Sequence, residues 1–231
     1  MRGLILIVIW TILALPAALV VFPWTLITRD TKLLFRVGFW IARAGLPFAG
    51  VRVVVNGMDR LPRGASIVMA NHSSNLDPPV LIPRLPGRVV IYLKASLMRI
   101  PVLGYAMRLA GFIPVTRDGS VESAKASSAE ARRALEQGSC LVVFPEGTRS
   151  RDGLLLPFKK GLFFLAMDSG APVVPVSIAG ATRMLPKGRL NLKSGTVSVT
   201  FHAPLDPKDY SEKEELMAAV RDAIAAGLIA G

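Results

Sequence analysis

Asn71-His72-Ser73-Ser74-Asn75-Leu76-Asp77 holds the first two side chains able to do chemistry together, an imidazole and a carboxylate five residues apart. That spacing is poor for two groups on one helix face. The expected geometry is a turn, with His72 on its near side and Asp77 on its far side. A carboxylate so placed holds one imidazole nitrogen and leaves the other as a base. A plainer alternative stands beside it: Asp77 precedes Pro78-Pro79, as a helix N-cap does before a first-turn proline, and His72 is then a loop histidine. A second polar stretch, Phe144-Pro145-Glu146-Gly147-Thr148-Arg149-Ser150, adds a carboxylate, a guanidinium and two hydroxyls.

Both stretches follow apolar runs, Ser66 to Ala70 and Leu141 to Val143, with the length and bounds of buried strands. In alternating α/β chains, ligands collect beyond the carboxyl ends of the strands. Further strands are expected at Val51–Val55, Val89–Leu93, Phe112–Val115, Val173–Ile178 and Thr196–Phe201. Helices are expected at about Ser96–Leu109, Glu122–Gln137, Gly161–Asp168 and from Ser211, where Glu214 completes a capping box. The fold class is therefore α/β: a mostly parallel sheet flanked by helices. Lys94 and Arg117 stand just past strands, Arg149 lies inside the second motif, and Lys159-Lys160 precede a helix. Cations gathered at that address make a phosphate site.

Hydrophobic residues are 52% of the chain, the net charge is +12, and the mean hydropathy is +0.46 with a pI near 10.6. Such a balance implies an anionic partner: nucleic acid, anionic lipid or a phosphorylated substrate. One cysteine, Cys140, excludes an intramolecular disulfide, and two histidines give no zinc-ligand spacing. Gly3 to Thr28 carries no charge, which is long enough to span a bilayer. Pro16 and Pro23 interrupt it, so a spanning helix and a bent segment dipping into one leaflet are both open. Lys32, Arg36 and Arg43 fall within about 40° on a helical wheel, and Leu33, Leu34, Val37, Trp40, Ile41 and Ala44 occupy most of the rest. This suits a helix at the surface of an anionic leaflet. Residues 1–48 are read as a membrane-associating helical hairpin and 49–231 as the α/β domain.

Asn71 to Asp77 fits N-H-x-S-x-x-D, and Phe144 to Ser150 is F-P-E-G-T-R-S. Gly111-Phe112-Ile113-Pro114-Val115-Thr116-Arg117 fits the pattern between them, and Val174-Pro175-Val176 the one after. In this order the chain resembles the glycerolipid acyltransferases, most closely the bacterial 1-acyl-glycerol-3-phosphate acyltransferases, from about Val51 to Pro204. Thr116 and Asn75 depart from the usual residues, which touches acceptor preference more than reaction type. The resemblance implies transfer of a fatty acyl group from coenzyme A or acyl carrier protein to the sn-2 hydroxyl of 1-acyl-glycerol-3-phosphate, giving phosphatidic acid, with no resident cofactor or metal.

A thioester is already activated, so no enzyme nucleophile is required; direct attack needs a base, a holder for it and an oxyanion stabiliser. His72 is expected as base, Asp77 as its holder and the Gly147 N–H as oxyanion donor, while Glu146 by analogy shapes the acceptor site. Arg117 and Arg149, with Lys94, are expected to hold the acceptor phosphate, and Ser74, Thr148 and Ser150 to add hydrogen bonds or to stabilise turns. The rival acceptor is another lysolipid or a lyso-ornithine lipid. A lipase-like hydrolase using Ser74 lacks a G-x-S-x-G elbow. A basic nucleic-acid-binding protein leaves both motifs unexplained. The expected location is the cytoplasmic face of the inner membrane, against anionic lipid, without nucleic acid.

Overall fold

The computed structural model describes residues 1–115, 121–189 and 191–229. Helix α1 (Arg2–Thr28) runs unbroken through Pro16 and Pro23 and is about 40 Å long at 1.5 Å per residue. A short turn follows, in which Arg29 adopts a φ of 56° and Asp30 Oδ1 accepts the Lys32 N–H at 2.8 Å. The chain then reverses into α2 (Lys32–Phe48), packed along α1. This is the expected apolar hairpin, and it does not swing clear of the rest. Leu6, Val21, Leu34, Phe35 and Leu46 are buried in the same core as the sheet.

The remaining elements are β1 (Val51–Asn56), β2 (Ser66–Ala70), α3 (Asp77–Leu81), β3 (Val89–Lys94), α4 (Leu103–Leu109), β4 (Ile113–Val115), α5 (Val121–Glu136), β5 (Cys140–Val143), α6 (Lys160–Ser169), β6 (Val173–Ala179), α7 (Ala181–Met184), β7 (Gly195–Phe201) and α8 (Lys213–Ile229). The strands form one seven-stranded sheet in the order β1-β7-β6-β2-β5-β3-β4. Neighbours are parallel except β6 and β7. The two-residue period of a strand divides the core cleanly. Val68, Val142 and Val174 face α2 and α3; Met69, Leu141 and Val173 face α5, α6 and α8.

Two local expectations are corrected. The helix expected from about Ser96 to Leu109 is a 3-10 turn over Ala95–Arg99 and then α4. Ile100 is extended before Pro101, as the proline ring demands, and Val102 at φ 61°, ψ −61° closes a tight turn with Leu103 N–H on the Pro101 oxygen. The last helix starts at Lys213, and the carboxylate reaching back to the Ser211 N–H, at 3.0 Å, is Glu215. Glu214 instead pairs with Lys160 at 3.3 Å and Lys213 at 3.2 Å.

The topology fixes one edge. Strands β2, β5, β3 and β6 end on it, and because β7 runs antiparallel to β6, β7 and β1 begin on it. Helix α2 therefore enters the sheet at the edge where His72 and Phe144 leave it.

Candidate active site

Strand β2 delivers Asn71 and His72 to this edge. Asn71 is buried, and its amide takes both backbone groups of Ile178: Nδ2 donates to the oxygen at 3.0 Å and Oδ1 accepts the N–H at 2.7 Å. The β2–β6 ladder ends at Ala70↔Val176, so this side chain continues the pairing past the last strand residue and fixes the base of the loop.

His72 Nδ1 lies 2.7 Å from Asp77 Oδ2. The same oxygen accepts the Ser73 N–H at 2.7 Å and the Ser74 N–H at 2.8 Å, and Asp77 has no exposed surface. One carboxylate oxygen thus holds both the imidazole and the turn that carries it. With a proton on Nδ1 directed at the carboxylate, Nε2 presents a lone pair. The His72 side chain is 19% exposed, and its ring stacks on Phe144 at 4.2 Å between centroids. The turn expected between His72 and Asp77 is present; Asp77 does open α3, but its side chain is spent on His72.

The second motif meets the first through backbone bonds. Glu146 Oε1 accepts the His72 N–H at 2.7 Å and Oε2 accepts the Leu156 N–H at 3.0 Å. The Ser150 N–H donates to the His72 oxygen at 2.8 Å. Glu146 is buried, and burial raises its pKa above the ordinary carboxylate range while the two N–H bonds oppose that rise. It clamps the two loops together, with both oxygens accepting main-chain N–H groups. The expectation for Gly147 is corrected. Its N–H donates to the Phe144 oxygen at 3.0 Å, closing the turn. Its φ of 66° explains the glycine at this position. The oxyanion donor expected there is already committed.

The three hydroxyls are engaged within the protein, locally and between loops. Ser74 is fully buried; its Oγ donates to the Leu185 oxygen at 2.7 Å and accepts the Leu76 N–H at 3.1 Å. That leaves it no proton to give up as a lipase nucleophile. Ser150 Oγ accepts the Gly153 N–H at 2.8 Å. Thr148 Oγ1 accepts from Lys187 Nζ at 3.2 Å.

The cations separate into two groups. Arg149 Nη1 donates to Asn75 Oδ1, tying the guanidinium to the His72 loop. Lys159 runs its methylenes past Gly147, and Lys94 is exposed at the end of β3, two strands from β2. Lys160 is turned away onto Glu214 and leaves the expected phosphate cluster. Arg117 lies outside the described residues, as does Thr116. Two residues escaped the sequence reading. Asn71 carried a signal, its place in the motif, while Lys187 carried none.

The acyltransferase family pattern matches residues 52–179 of this chain. The 1-acyl-sn-glycerol-3-phosphate acyltransferase of Borreliella burgdorferi is 32% identical over 196 residues, covering 82% of this chain and 78% of that protein. The human alpha form of the same enzyme is 34% identical over 157 residues, covering 68% of this chain and 56% of its own. The crystal structure of the LPA acyltransferase PlsC from Thermotoga maritima superposes with a TM-score of 0.83 at 30% identity, over 98% of this chain and 94% of that one. The imidazole–carboxylate pair, the clamped second motif and these likenesses meet in one conclusion: the chain belongs to the acyltransferase family.

Proposed function

We propose that this protein is a membrane-bound 1-acyl-sn-glycerol-3-phosphate acyltransferase, using an acyl thioester of coenzyme A or acyl carrier protein to make phosphatidic acid for phospholipid synthesis. The observation that carries the reading is the His72–Asp77 pair, 2.7 Å apart on a buried carboxylate, set beside the arginine of the second motif. In the reaction, His72 Nε2 takes the proton of the acceptor hydroxyl as its oxygen attacks the thioester carbonyl. The new C–O bond forms, the C–S bond breaks, and the thiol departs with the proton returned from the imidazolium. Asp77 orients the ring and balances its charge. Arg149, with Lys94 and Arg117, holds the acceptor phosphate.

The same reading places the protein at the cytoplasmic face of the inner membrane. Helix α1 turns Leu4, Ile12, Leu19, Val20 and Ile27 outward, each more than 60% exposed, and a continuous apolar face of that size asks for lipid rather than water. The acceptor and product are lipids, so an active edge shared with the hairpin serves the reaction. An acceptor panel with one acyl donor tests the proposal: lysophosphatidic acid should be converted to ester far faster than uncharged or zwitterionic lysolipids. Release of free fatty acid in place of ester would instead identify a hydrolase.

A further inference from the structure

The connection from α7 to β7 forms a third side of the site. Leu185 accepts the Ser74 hydroxyl at 2.7 Å, and Pro186 bridges to Ser74 in antiparallel fashion. The next residue, Lys187, is half-buried and extends its ammonium across to the second motif. Its Nζ donates to the Arg149 main-chain oxygen at 2.7 Å and to Thr148 Oγ1 at 3.2 Å. Arg149 returns to the first loop through Asn75. Three segments distant in sequence thus form a closed ring around the His72 edge, and Lys187 is the member that grips the arginine's own backbone.

An ammonium has three donors. The two partners recorded for Lys187 are neutral oxygens, and no carboxylate among the described residues forms an ion pair with it. The ammonium, partly open to solvent, thus keeps a donor and its charge for an anion at the same place as Arg149. A purely structural strap has no use for that charge, since a neutral donor would make the same two bonds.

We infer that Lys187 belongs to the acceptor site, as a positioning residue for Thr148 and Arg149 whose charge also selects a phosphate-bearing acceptor. The inference rests on the acceptor reading above and adds a residue to it from outside the recognised motifs. Its target is the acceptor phosphate, because the ring it closes holds Arg149, the arginine assigned to that phosphate, through Asn75 on one side and Lys187 on the other.

The test compares Lys187→Gln, Lys187→Arg and Lys187→Met in the full-length protein in detergent, with lysophosphatidic acid and lysophosphatidylcholine as acceptors. The glutamine keeps a donor and removes the charge. It should raise the KM for lysophosphatidic acid about tenfold, the loss of one charge-assisted contact. The acyl-donor KM, the kcat and the KM for the zwitterionic acceptor should stay within about twofold. Lys187→Arg should recover most of the loss, and Lys187→Met should add a fall in kcat. Wild-type kinetics in Lys187→Gln would overturn the role of the charge. A drop in kcat or thermal stability with the KM ratio unchanged would leave only a strap and would also overturn the inference. Failure of the acceptor reading itself is seen separately, in the wild-type protein, as absence of preference for lysophosphatidic acid.

Discussion

At the scale of single residues, Asp77 Oδ2 receives three donors, His72 Nδ1 and the N–H groups of Ser73 and Ser74, so it builds the loop and, in the proposed mechanism, aims the base as well. His72→Ala removes only the base and should leave folding intact while lowering turnover by roughly 10²–10⁴. Asp77→Asn should cost less in chemistry but also stability, because the amide must direct its oxygen to three donors. Steady-state rates and thermal unfolding of both variants would show this split; near-normal turnover in folded His72→Ala would end the mechanism. Arg149→Ala should raise the acceptor KM and spare the donor KM, and equal losses for both would count against the phosphate assignment. Glu146 makes a prediction in pH. Its carboxyl is raised on folding, chiefly by burial, so the native state binds that proton more tightly. Its stabilising contribution is then fully present below the unfolded-state pKa and declines as pH rises through the raised native value. Glu146→Gln cannot titrate, and its amide replaces one acceptor with a donor, costing about 1–3 kcal/mol. The deficit relative to wild type should be largest in acid and should narrow towards neutral pH in denaturant titrations. A deficit that widens instead would mean the two N–H bonds outweigh burial.

At the scale of elements, the hairpin is held by a close approach that only glycine permits. A Cβ on Gly45 would stand 2.5 Å from Trp10 Nε1 and 3.0 Å from Leu6 Cδ1, so Gly45→Ala pushes an indole and Gly45→Val pushes the whole of α1. Overpacking of this kind costs about 1–3 kcal/mol. Thermal unfolding in detergent should show a lower midpoint, larger for valine than for alanine, with the KM values little changed. Unaltered stability in both variants would mean that α1 and α2 are not packed this way in solution. The same elements show what the sequence disclosed. Strands with tight ends, such as Ser66–Ala70 and Val173–Ala179, were legible because burial on both faces writes a largely continuous apolar run. The His72–Asp77 turn was legible because its five-residue spacing excluded a helix face. The break at Val102 was masked by apolar residues that suit a helix equally well. The Gly147 assignment failed because a glycine in a motif signals backbone freedom without saying which partner its N–H finds. Glu146, Asn71 and Lys187 find their partners 74, 107 and 38–39 residues away, and such pairings exist only after the sheet has been assembled. Pro16 and Pro23 left a spanning helix and a bent segment both open, and α1 runs through both as one helix.

At the scale of the whole molecule, the antiparallel β6–β7 pair has a functional consequence. It turns β1 so that its amino end, and with it α2, meets the catalytic edge. On the proposed membrane reading, the outward apolar face of α1 sets depth in a bilayer. Lys32, Arg36 and Arg43 are exposed on α2 along with Trp40 at 55%, a composition suited to the headgroup level. Each basic residue near an anionic surface contributes about 1 kcal/mol, so three set a preferred height and tilt without being needed for attachment. Replacing all three by glutamate should therefore leave the protein in the membrane fraction, held by α1. Activity on lysophosphatidic acid in anionic vesicles should fall several-fold, because the edge carrying His72 no longer sits level with the headgroups. Activity on acceptor dispersed in neutral detergent should change far less, since a micelle fits itself to the hairpin at any tilt. Raising the salt concentration should reproduce the vesicle effect in the wild-type protein and have little further effect on the variant. Equal losses in vesicles and detergent would show that the stripe supports the fold, and the membrane-levelling role of α2 would have to be given up.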